Sequence, residues 1–218
     1  MNYVMDIQIV AIIALIMSIV LHEMAHGYAA NALGDPTARL QGRLSPNPLV
    51  HIDPLGSVII PALLMLSGAG ILFGWAKPVP YNPYNLTNQK WGEALVAIAG
   101  PAINIFIALV FAMLIRFASP LGLNDVFVSL ATYIVYMNIL LALFNMIPFP
   151  PLDGSKILPA ILPFGAQLQY QKFVRAMEGY GFFVTIIFIF LFINVFWGPF
   201  SMVLHTIFEL FTGTSLYF

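Results

Sequence analysis

The sequence predicts an all-α polytopic membrane protein with about four to six transmembrane helices. A re-entrant segment and a short β-hairpin or edge strand are expected near a polar site. Three observations carry this reading. Hydrophobic residues make up 61% of the 218 and charged residues only 8%, whereas a soluble domain carries about 25% charged residues. Apolar runs of bilayer length, about 20 residues as a helix, recur along the chain. Inside the first stand His22, Glu23 and His26, ionisable side chains that are expensive in an apolar helix unless they share a task.

The first run, 5–33, carries no charge from Ile7 to Leu21 and then reads His22-Glu23-Met24-Ala25-His26. On a helix the two histidines lie one turn apart on one face, so both imidazoles can reach one metal ion. Glu23 then points beside that metal, where it can take a proton from water. The chance of His-Glu-x-x-His arising at random in such a chain is below about 1%. No Lys or Arg precedes the run. It lacks the basic start of a secretory signal and reads as a retained, working helix.

Residues 37–54 make a poor helix. Ala38 to Ser45 partly alternates around Gly42, as a short hairpin would. The apolar run 57–73 contains Pro61 and ends in Ser67-Gly68-Ala69-Gly70. Gly74-Trp75-Ala76-Lys77-Pro78-Val79-Pro80 holds two prolines, which exclude a central strand and leave an edge strand. Further spanning helices are expected over 92–117, 127–147 and 179–197. Trp197-Gly198-Pro199 should break the last of them, leaving 198–218 as a separate tail. There His205 and Glu209 share a helical face, read as an interfacial or packing pair.

Charge decides the path of 57–73. If it crosses, the basic residues divide into Lys77, Lys90, Lys156, Lys172 and Arg175 against Arg39, Arg43 and Arg116. If it dips in and returns, seven of these share one side and only Arg116 lies opposite, the better positive-inside pattern. The re-entrant reading puts the N-terminus outside and the polar site toward the cytoplasm. It also makes the first helix parallel to 127–147.

That orientation supplies a third ligand. Catalytic zinc takes three protein ligands and keeps one position open. Asp153 follows helix 127–147 in Asn145-Met146-Ile147-Pro148-Phe149-Pro150-Pro151-Leu152-Asp153-Gly154, where the prolines end the helix and turn the chain inward. The bland reading is an N-cap for a helix starting at Gly154. His51 is the other candidate ligand, although its neighbours Asp53 and Pro54 suggest a turn. With no cysteine in the chain, thiolate sites and disulfides are excluded. The net charge of −1 gives no reason to expect nucleic acid.

Three motifs together resemble the site-2 protease family of intramembrane zinc metalloproteases. They are His22-Glu23-Met24-Ala25-His26, Ala97-Ile98-Ala99-Gly100-Pro101-Ala102-Ile103-Asn104, and Asn145-x-x-Pro148 with Leu152-Asp153-Gly154. The resemblance is nearest to small bacterial-type members without PDZ or CBS domains, whose Gly-Trp-Ala-Lys-Pro-Val-Pro run stands at 74–80. It implies one zinc ion per chain on His22, His26 and Asp153, with Glu23 as general base. It also implies cleavage of membrane-embedded protein or peptide segments, or signal-peptide remnants, by a single domain spanning 1–218 in a bacterial plasma membrane.

Asn145, Asn104 and Asn138 are candidate substrate or oxyanion contacts. Ordinary helix packing and satisfaction of carbonyls freed by proline are their bland readings. The rival class is a metal-ion transporter or a metal-binding membrane protein without proteolytic activity. Transport favours internal repeats and several sites along a path, and it has no need of Glu23 between two histidines. No feature of the sequence specifies an oligomeric state.

Overall fold

The computed structural model describes residues 2–67 and 74–215. Among the described residues, four helices are long and apolar enough to cross a bilayer: Ile9–Ala32, Gly92–Arg116, Asp125–Asn145 and Phe183–Thr212. The first lies within α1 (Asn2–Ala32), and the next two are α4 (Gly92–Arg116) and α5 (Asp125–Asn145). Between α1 and α4 lie the single turn α2 (Thr37–Leu40) and the short α3 (Ile60–Ser67). After α5 come α6 (Gly154–Ile161), α7 (Phe164–Tyr180), α8 (Phe182–Leu191) and α9 (Trp197–Thr212). The chain is an integral membrane protein of all-α class.

The core is a three-helix contact among α4, α5 and α9. Ala108, Ala112 and Ile115 face Ala131, Val135 and Ile139, with Leu204 and Phe208 completing the cluster. Lipid is as apolar as these side chains, so close van der Waals packing holds the helices together. Small residues permit that approach. α1 packs on the other side of α4, antiparallel to it. His22 meets Asn104 and, one turn on, His26 meets Val96. α5 returns antiparallel to α4 and is thus parallel to α1.

The segment 57–73 was expected to dip and return. Residues 68–73 lie outside the described residues, but both flanks are fixed. The Trp75 N–H donates to the Gly56 carbonyl at 3.1 Å, and the Ser57 hydroxyl to the Trp75 carbonyl at 2.8 Å. Lys77 N–H reaches the His51 carbonyl at 2.8 Å. The chain therefore leaves at Gly56 and is back beside it at Trp75. The outgoing limb is a π-helical turn over Pro54–Ile59 followed by α3. At about 1.5 Å per residue, these 14 residues fall short of the roughly 30 Å hydrocarbon core.

Two local expectations are corrected. The hairpin at 38–45 is absent: Thr37–Leu40 is one helical turn. Asp35 starts it by accepting from the Thr37 N–H and hydroxyl, and Gly42, with φ of +65°, ends it. The apparent alternation came from a turn that buries Ala38 and exposes Leu40. No strand occurs among the described residues, and 74–80 runs extended without a ladder partner. Its prolines remove two donors, and the remaining inward N–H groups find loop carbonyls and one side chain instead.

The helix does not break at Gly198-Pro199. A π-helical turn, Phe192–Phe196, links α8 directly to α9. Pro199 falls in the first turn of α9, where a missing N–H removes no helical bond. The tail is thus the second half of the fourth span. His205 and Glu209 lie on its exposed face.

Candidate metal centre

α1 sets His22 and His26 one turn apart, with ring centroids 4.6 Å apart and planes at 88°. His22 lies ten residues before the end of the Ile9–Ala32 span, about 15 Å along the helix. Gly100 on α4 supplies the wall behind them. A Cβ at that position would stand 2.5 Å from His26 Nε2 and 2.6 Å from His22 Cε1, so only glycine lets α4 approach both rings.

Asp153 arrives from the proline-rich turn after α5, immediately before α6. Gly154 lets the turn close: a Cβ there would lie 2.2 Å from the Met146 carbonyl oxygen. Asp153 Oδ2 then lies 3.1 Å from His22 Nε2 and 3.3 Å from His26 Nε2. The two Nε2 atoms are 3.0 Å apart. All three residues are buried. The site residues thus come from the end of α1, the N-terminal half of α4 and the entry to α6.

The hydrogen-bond network fixes what these three atoms present. The Ile134 carbonyl can only accept, so the Asn138 amide NH2 faces it at 2.8 Å and faces Ser18 Oγ at 2.9 Å. Asn138 Oδ1 is therefore turned to Asn104 Nδ2, at 2.8 Å. Asn104 Oδ1 is in turn left facing His22 Nδ1 at 2.6 Å, and that nitrogen must donate. His26 Nδ1 likewise donates to the Val96 carbonyl at 2.8 Å. With both Nδ1 atoms donating elsewhere, both imidazoles turn Nε2, the nitrogen that binds a metal when the ring is neutral, toward Asp153. Asp153 Oδ2 is itself buried without a hydrogen-bond partner.

Three electron-rich atoms converging without a donor repel one another unless a cation sits among them. Ligand atoms around a tetrahedral zinc lie about 3.4 Å apart, close to the three separations seen here. Two imidazoles and one carboxylate also form a donor set that catalytic zinc takes. His22, His26 and Asp153 are the one such group among the described residues. His51 lies elsewhere, buried, its Nε2 2.9 Å from the Ser45 carbonyl.

Glu23 is half-buried beside the cluster, and its Oε2 accepts the Val79 N–H at 2.9 Å. Asn145 donates to the Leu141 carbonyl of its own helix at 2.9 Å, which leaves its second amide hydrogen unassigned. Asn104 and Asn138 are fully enclosed behind His22, linking α1, α4 and α5. Lys156 holds its ammonium 5.2 Å from the Tyr81 ring centre. Desolvation opposes its charge, but Tyr81, Asp153 and Glu93 raise its pKa above the ordinary lysine value.

Sequence reasoning overlooked Ser18, Arg43 and the Val79 N–H. Ser18 carried a signal, a hydroxyl one turn before His22 in an otherwise apolar helix. A main-chain donor such as Val79 carries none.

Comparison with known proteins identifies the family. The sequence profile of peptidase family M50 matches residues 10–123 and 118–192. Three relatives each bear the name "Putative zinc metalloprotease". YwhC of Bacillus subtilis is 36% identical over 185 residues, covering 81% of this chain and 78% of its own. Rip2 of Mycolicibacterium smegmatis is 29% identical over 181 residues, 82% of this chain and 66% of its own. MJ0611 of Methanocaldococcus jannaschii is 29% identical over 157 residues, 72% and 73% respectively. No solved structure gives a significant match. With two histidines and a carboxylate grouped so that they could hold a metal ion, and a family profile across most of its length, the chain belongs to peptidase family M50, the site-2 protease family, and is a metalloprotease.

Proposed function

We propose that the protein is an intramembrane zinc endopeptidase that cleaves peptide bonds in or near transmembrane segments of membrane proteins or signal-peptide remnants. The observation that carries this is the convergence of His22 Nε2 and His26 Nε2, on a spanning helix that also carries Glu23, with Asp153 Oδ2 from the turn before α6. One zinc ion per chain suits the single triad. The position of His22 and His26 within the span supports hydrolysis at membrane depth. The seven-to-one split of basic residues directs the site to the cytoplasmic side of a bacterial plasma membrane.

The chain's own groups divide the work. His22, His26 and Asp153 hold the zinc, which when bound polarises the scissile carbonyl and makes water more acidic. Glu23 takes the proton from the attacking water and returns it to the leaving amine. Asn145 offers its second amide hydrogen to the developing oxyanion. Asn104, backed by Asn138 and Ser18, keeps His22 in the tautomer whose Nε2 is free. These buried asparagines act behind the ligand and leave substrate contact to Asn145. The substrate must unwind locally before its peptide bond is exposed, and the freed backbone then needs partners.

A metal transporter would show further ligand groups along a path, and the described residues hold one compact triad. The test is a comparison of membrane-protein fragments in cells carrying the active protein or Glu23→Gln. Fragments ending within transmembrane segments should appear only with the active protein. Identical fragment sets, together with metal flux across vesicles, would favour transport.

A further inference from the structure

The extended segment 74–80 turns three alternate N–H groups to one side. Trp75 donates to the Gly56 carbonyl and Lys77 to the His51 carbonyl. Val79 breaks the pattern by donating to a carboxylate, Glu23 Oε2, at 2.9 Å. This contact crosses 56 positions of sequence and joins the re-entrant hairpin to the metal helix.

The same peptide unit is held from its other end. Arg43 is buried, and its guanidinium donates to the carbonyls of Val50, Lys77 and Pro78, the latter two at 2.7 and 3.2 Å. No carboxylate pairs with it among the described residues. A buried guanidinium that binds only main-chain carbonyls carries a desolvation penalty, so its placement calls for a purpose. The Pro78–Val79 peptide thus has its carbonyl on Arg43 and its N–H on Glu23. Gly27, one turn beyond Glu23, clears the approach: a Cβ there would lie 2.9 Å from Val79 Cγ1 and 2.5 Å from Leu44 Cδ2.

We propose that the Val79 main-chain N–H is a built-in orienting partner of Glu23, and that Arg43 is the positioning residue that locks it there. The idea rests on the reading of Glu23 as general base. Fixing Oε2 on a rigid N–H confines the carboxylate rotor and leaves Oε1 to face water. It also couples the base to the hairpin, because Trp75 and Val79 belong to one five-residue stretch. The Pro78–Val79 bond does not mimic a bound substrate, since its carbonyl points at Arg43.

Val79→Pro tests this by deleting the N–H. The residue before Pro80 is already confined to extended backbone, where proline fits. Purified protein in lipid nanodiscs is assayed on a synthetic transmembrane peptide with a fluorophore–quencher pair, alongside zinc content. Val79→Pro should keep its zinc and its KM while kcat falls about 10- to 100-fold, the effect of one hydrogen bond to a charged group. Val79→Ala, which keeps the N–H, should lose far less. Arg43→Gln should lower kcat with zinc retained, and Arg43→Lys should recover part of it. Equal losses in Val79→Pro and Val79→Ala, or wild-type kcat in zinc-loaded Val79→Pro, would overturn the proposal.

A second measurement needs neither turnover nor a folded Val79→Pro. Amide hydrogen exchange over residues 74–81 should show Val79 protected in the wild type and exposed in Glu23→Ala. Unchanged protection would also overturn it. Turnover by zinc-loaded Glu23→Gln would instead remove the underlying reading of the base.

Discussion

Asn104 Oδ1 lies 2.6 Å from His22 Nδ1, and the amide behind it is anchored through Asn138 to the Ile134 carbonyl. A chain of three side chains thus ends on a carbonyl that can only accept, and this dictates which nitrogen of His22 faces Asp153. Outer partners of this kind typically contribute 10- to 100-fold to metal affinity. Asn104→Ala should therefore weaken zinc binding by about that factor, read by competition with a chelator. Asn138→Ala should act in the same direction but less, because it reaches the ligand only through Asn104. Wild-type affinity in Asn104→Ala would show that the relay does not tune the ligand.

Gly100→Ala places a methyl 2.5 Å from His26 Nε2. The rings are wedged between α1 and α4, so they must turn or the helices must part. Zinc content should fall below half occupancy in micromolar zinc, while the helical circular dichroism signal stays close to wild type. Full occupancy would mean that α4 can retreat without disturbing the triad.

The hydrogen bonds of Trp75 with Gly56 and Ser57 return the chain after 57–73 to the side it left. Single-cysteine variants at 39, 77 and 156 should therefore label together from the cytoplasm, while one at 124 should label only from outside. The chain has no cysteine of its own, so the background is clean. Labelling of 39 and 77 from opposite sides would require a crossing.

Asp35 sits buried just past α1 and accepts from Thr37, Asn82 and Asn85. Desolvation pushes its carboxyl up, but the Thr37, Asn85 and Asn82 hydrogen bonds outweigh it and hold the pKa below the usual carboxylate value. A depressed folded-state pKa stabilises the fold above the unfolded value of about 4 and loses that contribution as pH falls through the folded one. The gap in thermal stability between wild type and Asp35→Asn should be constant above about pH 5 and close below about pH 4. A gap independent of pH down to 3 would contradict it.

The sequence reveals features whose cause is local. Spans follow from runs of apolar residues, and His22 with His26 from the i,i+4 rule. Asp153 could be singled out because prolines stop α5 just before it. The errors are also local. Alternation around Gly42 imitates a hairpin because Ala38 is buried and Leu40 exposed on a helical turn. Pro199 looks like a breaker because its position in a first turn depends on the π-helical turn before it. The relay through Asn104, Asn138 and Ser18 depends on the rotation of three helices about their axes, which no single apolar pattern specifies. The Arg43 guanidinium binds main-chain carbonyls and the Val79 N–H is itself main chain, and side-chain identity reveals neither.

The most direct test of the account is turnover by purified Glu23→Gln with its zinc counted. Gln is nearly isosteric with Glu but takes no proton from water, so both the base and the acid steps are lost together. The account predicts one zinc per chain, as in the wild type, and a fall in kcat of at least about 1,000-fold on the transmembrane peptide. Appreciable cleavage by zinc-loaded Glu23→Gln would contradict it, because another group would then be serving as the base.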